Sequence, residues 1–129
     1  MTGITRVGEG NMAPVVKPLI DALQQTIPFV ELRQVSTDGT YFEGVMARGD
    51  LERCCQLLGS ALGPAAKAFG KTVRFTKPAQ AVVSHLGGIR PDQCLFLKEE
   101  PDQPIAFAAL WPWASNPDRI TLKVGVFPR

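Results

Sequence analysis

Few side chains in this sequence do chemistry near neutral pH, and their spacing does not gather them. His85 is the one histidine, and imidazole is the side chain whose unperturbed pKa lies nearest neutrality. A general base needs an orienting carboxylate, and no acidic residue lies one helical turn from His85. On a helical wheel it falls about 110° from the centre of the Val82, Val83 and Leu86 stripe, at the boundary of the buried face. That position suits a structural hydrogen bond. Of the three cysteines, Cys54 and Cys55 are adjacent and Cys94 stands alone. A zinc site needs four well-spaced ligands, so the spacing points to no metal. The thiols read as small apolar packing groups. Along helix Asp50–Leu62, the stripe Leu51, Cys55, Leu58 and Leu62 places Cys55 inside and Cys54 on its flank.

Anion chemistry has three candidate carriers. Gly87-Gly88 follows a helix, whereas a phosphate loop precedes one so that N-terminal N–H groups face the anion. The pair therefore reads as a left-handed helix cap, with Ile89 folding back on the last turn. Gly8-Glu9-Gly10 precedes the first helix but lacks the Lys-Ser/Thr end of a P-loop. The run Lys67, Lys71, Arg74 and Lys77 is basic, and Lys71, Arg74 and Lys77 are its candidate anion-binding residues. A solvated charged face is the competing reading, since isolated surface charge carries little specificity. Glu99 and Glu100 are adjacent on a strand, so they point to opposite faces and do not form an acid–base pair.

Trp111-Pro112-Trp113 carries the strongest binding signal. Period-two alternation puts Ile105, Phe107, Ala109, Trp111 and Trp113 on one face of a strand and Ala106, Ala108 and Leu110 on the other. Both faces are apolar, so the strand needs two covers. Helices supply one, and a ligand, a long loop or a second subunit supplies the other. Phe96, on the neighbouring strand, is apolar on its second face as well. Phe96, Phe107, Trp111 and Trp113 are thus the candidate ligand or interface residues, tryptophan being enriched at binding surfaces.

Several elements must position these groups. Val16, Leu19, Ile20, Leu23 and Ile27 repeat at helical spacing, with Asn11 as a cap and Pro18 best placed in the first turn. Residues 1–10 read as a frayed end or an edge strand. Phe29–Ser36 and Tyr41–Arg48 form a hairpin around Asp38-Gly39. Pro64–Phe69 can add one or two helical turns, Lys71–Phe75 a short strand, and Pro78 opens a third helix closed by Gly87-Gly88. Three strands joined by short turns follow from Gln93 to Phe127, with Ile120, Leu122, Val124 and Val126 on one buried face. The order is α-β-β-α-β-α-β-β-β, and the fold class is α+β: an antiparallel or mixed sheet of about five to six strands with helices on one face. Helix-hairpin units in the two halves suggest an α-β-β duplication.

The 129 residues form one domain by size, 1–129, with 45% hydrophobic residues. A net charge of +2 is too small to argue for nucleic acid on its own, so no nucleic-acid partner is expected, and no apolar run reaches the ~20 residues of a membrane span. No apolar signal core opens the chain, and the odd cysteine count fits a reducing compartment, so the expected location is cytoplasmic. The sequence implies no cofactor. The leading expectation is a small binding or interaction domain, with self-association through the sheet or a small-molecule ligand as its partners. The alternative is a small enzyme using His85 with a cysteine or the Lys67-Lys71-Arg74-Lys77 run on an anionic substrate.

Overall fold

The computed structural model describes residues 13–128. The readings of residues 1–10, of the Asn11 cap and of Gly8-Glu9-Gly10 lie outside the described residues. Helix α1 (Ala13–Thr26) buries the predicted stripe of Val16, Leu19, Ile20 and Leu23, with Ile27 just beyond it. Pro18 sits inside α1, not in its first turn. Pro18 and Pro14, whose carbonyl it leaves without an N–H, are both exposed, which limits the penalty of an interior proline.

Strands β1 (Glu31–Val35) and β2 (Tyr41–Ala47) form the expected hairpin, turned by Gly39 at φ 72°. A 3₁₀ turn over Arg48–Asp50 leads into α2 (Leu51–Leu62). Its buried stripe is Cys54, Leu58 and Leu62, and Cys55 is only half-buried. The expectation for the two thiols is therefore reversed. The helix is rotated so that the i, i+4, i+8 series from Cys54 meets the sheet, and Leu51 packs at its margin.

Residues 64–69 after α2 make no helical turn, and residues 71–75 form no strand. The β position before the third helix is held instead by a single bridge, Lys67 with Leu95. Helix α3 (Lys77–His85) begins with Thr76, whose side chain accepts from the Ala79 N–H, and with Pro78 in its first turn. Strands β3 (Cys94–Lys98), β4 (Ile105–Pro112) and β5 (Arg119–Phe127) complete a meander. The five-stranded sheet has the order β1-β2-β5-β4-β3, and all neighbours are antiparallel. The fold is α+β with the predicted element order, the bridge standing for its third β.

Two apolar clusters lie on opposite faces of the sheet. Helices α1 and α2 cover Phe42, Met46, Leu110, Ile120, Leu122 and Val124. Helix α3 covers Leu95, Ile105, Phe107 and Ala109 through Val82 and Val83. The expectation of helices on one face is corrected accordingly. A strand apolar on both faces, as β4 is, needs two covers, and the second cover is helical. In each hairpin the earlier strand is outermost and the later one pairs with β5, while the preceding helices, α1 and α3, take opposite faces. A two-fold axis along β5 would generate this arrangement. No helix among the described residues is long and apolar enough to cross a membrane.

Candidate functional site

β4 runs beyond the part of the sheet that α3 covers, and its last residues build a cleft. Trp111 and Pro112 pair with Thr121 and Ile120 of β5, and the Trp113 N–H donates to the Arg119 carbonyl at 2.9 Å. The Trp113 indole Nε1 donates to Thr121 Oγ1 at 2.7 Å, which fixes that ring against β5. Cations lie over both rings. Lys123 Nζ is 4.2 Å from the Trp111 ring centroid and the Arg33 guanidinium carbon 5.5 Å from that of Trp113. Arg33 itself is held by Glu31 at 3.0 Å and Glu43 at 3.9 Å.

The facing wall is the chain that leaves α3. Gly87 and Gly88 take φ 88° and 101°, and the Gly88 N–H returns to the Val83 carbonyl at 2.8 Å. This is the predicted cap. Ile89 then folds back beside Val82 and Val83. The next turn is tied by Gln93, a buried residue whose Oε1 accepts from the Arg90 N–H at 2.7 Å. Beneath it lies Lys67, only 2% exposed, whose ammonium donates to the carbonyls of Ala68, Pro91 and Gln93 at 2.9, 2.8 and 2.6 Å. Three protons meet three acceptors, so this lysine pins the wall and has none left for a ligand.

Between the walls lies an open cleft of about 590 Å³. Trp111, Pro112, Trp113 and Thr121 line one side, and Leu86, Gly87, Gly88, Ile89, Arg90 and Gln93 the other. Arg90 is its one charged lining residue. Arg90 Nε pairs with Asp92 at 3.2 Å, an ion pair exposed on both sides. The Trp111 indole Nε1 is buried and has no hydrogen-bond partner among the described residues. A buried donor left unsatisfied costs about 1–3 kcal/mol.

The residues singled out from sequence fare differently. Trp111 and Trp113 come together at the cleft, each partly exposed. Phe96 is buried under the α1–α2 layer and Phe107 under α3, so neither presents a surface and they face opposite sides of the sheet. Lys71, Arg74 and Lys77 are exposed. Of these, Lys71 lines a crevice of about 70 Å³ beside Lys67, room for roughly two waters. His85 is exposed and packs near Phe127, with ring centroids 5.2 Å apart. It stands on the α3 side of the sheet, whereas Cys54 and Cys94 lie buried on the other. Burial pushes both thiols up, Cys94 to about 11, with the neighbouring thiols adding to it. Such thiols are poor nucleophiles at neutral pH. Among the described residues no group of three or more His, Cys, Asp or Glu is placed to hold a metal ion.

The sequence reading missed Arg90, Gln93 and Thr121. No local signal marks them, because the cleft forms only where residues 86–93 meet 111–121. Comparison with protein-family models, with curated proteins and with solved structures returns no match.

Proposed function

We propose that this protein is a binding module that takes a small flat molecule bearing an anionic group in the cleft between Gly87–Arg90 and Trp111–Trp113. The observation that carries this reading is the convergence of both tryptophans of the chain on one cleft whose one charged lining residue among the described residues is a cation, Arg90. The volume of about 590 Å³ falls in the range of small-ligand sites, which pair apolar and aromatic walls with a few polar groups. Indole faces favour a planar ring, and the Arg90 guanidinium favours a carboxylate, sulfonate or phosphate. Neither His85 nor a cysteine lines the cleft, which favours binding over catalysis at this site.

Because the chain has only two tryptophans and both line the cleft, intrinsic fluorescence reports on this site alone. Anilinonaphthalene sulfonate combines a flat aromatic body with one anionic group and serves as the probe. Saturable one-to-one energy transfer from tryptophan is expected, weakened at least fivefold by Arg90→Gln and abolished by Trp113→Ala. Binding that both variants leave unchanged would refute the assignment.

A further inference from the structure

The two edges of the sheet are treated differently. At β3 the edge is capped at one position, where Lys67 and Leu95 exchange N–H···O bonds at 3.1 and 2.9 Å. At β1 the described residues provide no such cover, and every residue of the strand is exposed. Among the described residues, three of the four large exposed hydrophobic side chains cluster here: Val30 at 51%, Leu32 at 55% and Val35 at 43%. A register shift between Leu32 and Gln34 sets Leu32 opposite Gly44 and Val35 opposite Phe42. The bulge therefore keeps two residues three apart on the same face, the one that carries α1 and α2. An open apolar groove of about 230 Å³, lined by Ile27, Pro28, Phe29 and Leu32 among others, continues from that face onto the end of α1. A bare edge with exposed apolar residues is a template for another strand.

We infer that a second copy of this chain occupies this edge, joining β1 to β1 antiparallel about a two-fold axis at Leu32. The charge pattern of the strand selects that occupant. Leu32 is flanked by Glu31 and Arg33, whose side chains share the opposite face and touch at 3.0 Å. A two-fold axis through Leu32 sets Glu31 beside Arg33 of the second copy, and Arg33 beside its Glu31. Opposite charges thus meet twice across the junction, where any register that aligned like residues would repel. The same axis sets the exposed Leu32 against Leu32 and the exposed Val35 beside the half-buried Phe29, next to the groove. An isologous contact of this kind closes after two copies and leaves no further β1 edge to propagate. The Glu31 and Arg33 contacts lie on the face that carries the cleft, where Arg33 also stacks on Trp113 at 5.5 Å.

The test is oligomeric state with charge-swap variants. Light scattering on the unmodified chain should give twice its 14.0 kDa mass at micromolar concentration. Glu31→Lys places two cations beside each other at both symmetric contacts and should raise the dissociation constant at least tenfold. Glu31→Lys combined with Arg33→Glu restores opposite charges and should recover the dimer, a rescue that a merely destabilised fold would not show. Leu32→Cys should cross-link to a covalent dimer under mild oxidation, whereas Ser60→Cys, on the exposed side of α2, should not. A monomer at 200 µM, a dimer indifferent to Glu31→Lys, or failure of the Leu32→Cys cross-link would each overturn the inference.

Discussion

Replacing Lys67 by methionine should destabilise the protein by about 2–4 kcal/mol, a figure set by which carbonyls lose their donor. The lysine is 2% exposed and donates three hydrogen bonds of 2.6–2.9 Å to carbonyls. Hydrogen bonds from a charged donor stabilise by about 1.5–3 kcal/mol each, so their gross worth is about 5–9 kcal/mol. Against this stands the desolvation of an ammonium, several kcal/mol for a buried ion. Methionine keeps the volume of the apolar stem and removes both terms. What remains is three carbonyls that each lose one donor, although those of Ala68 and Pro91 still accept from the Lys71 and Gly70 N–H groups at 3.2 and 2.7 Å. Those of Ala68 and Pro91 belong to exposed residues that water can reach, while that of Gln93 belongs to a buried one. One full penalty and two partial ones, at about 1–3 kcal/mol for a full penalty, give the stated range. In urea, with a slope of about 1–3 kcal/mol/M, the unfolding midpoint should fall by about 1–2 M. Because Lys67 ties residues 91–93, the same variant should weaken binding at the cleft. An unchanged or raised midpoint would mean that desolvation cancels the hydrogen bonds, and the account of the wall would fail.

Leu122 is fully buried between the sheet and the α1–α2 layer, so Leu122→Ala should cost about 2–5 kcal/mol in the denaturant midpoint. Gly88 takes φ 101° with nothing within 4 Å of an added Cβ, so Gly88→Ala should cost about 1–2 kcal/mol through backbone strain alone; the measurement is a thermal melt with the fold checked by circular dichroism. Cys94 is held protonated in the folded state up to about 11, chiefly by burial, whereas an unfolded thiol ionises near 9. A folded pKa above the unfolded one stabilises fully below pH 9 and is lost as pH rises through 11. Stability should therefore fall across that window by about 1.4 kcal/mol per pH unit for this thiol, and Cys94→Ala should flatten the fall.

Periodicity made much of this fold legible. The i, i+3, i+4, i+7 spacing of Val16, Leu19, Ile20 and Leu23 located α1, and the Asp38-Gly39 pair located the first hairpin, because both signals are local. Alternation in Ile120, Leu122 and Val124 fixed the facing of β5 for the same reason. The side of the sheet to which α3 packs was not legible. An apolar stripe such as Val82 and Val83 says that a helix is covered, not by which face. Lys67 misled by charge: among Lys71, Arg74 and Lys77 it reads as solvated, and only its bridge to Leu95, 28 positions on, buries it. Phe96 and Phe107 misled by company, since an apolar second face signalled an open surface where α1, α2 and α3 supply the cover. The tryptophans were found because two large rings beside a strand-ending proline are conspicuous in sequence. Their partners Arg90 and Gln93 were not, because the cleft depends on β3, β4 and β5 being adjacent and on the return of the chain after Gly88.

The most direct measurement is a nitrogen–proton correlation spectrum of the labelled protein titrated with indole-3-carboxylate, a flat molecule carrying one carboxylate. Two indole N–H signals are expected, and that of Trp111, which lines the cleft, should move as the ligand ring stacks beside it. The Trp113 indole and the Gly87, Gly88 and Arg90 amides should shift with it along one saturable curve. Shifts centred on Lys71, Arg74 and Lys77, or on β1, with both indole signals unmoved at millimolar ligand, would contradict the account.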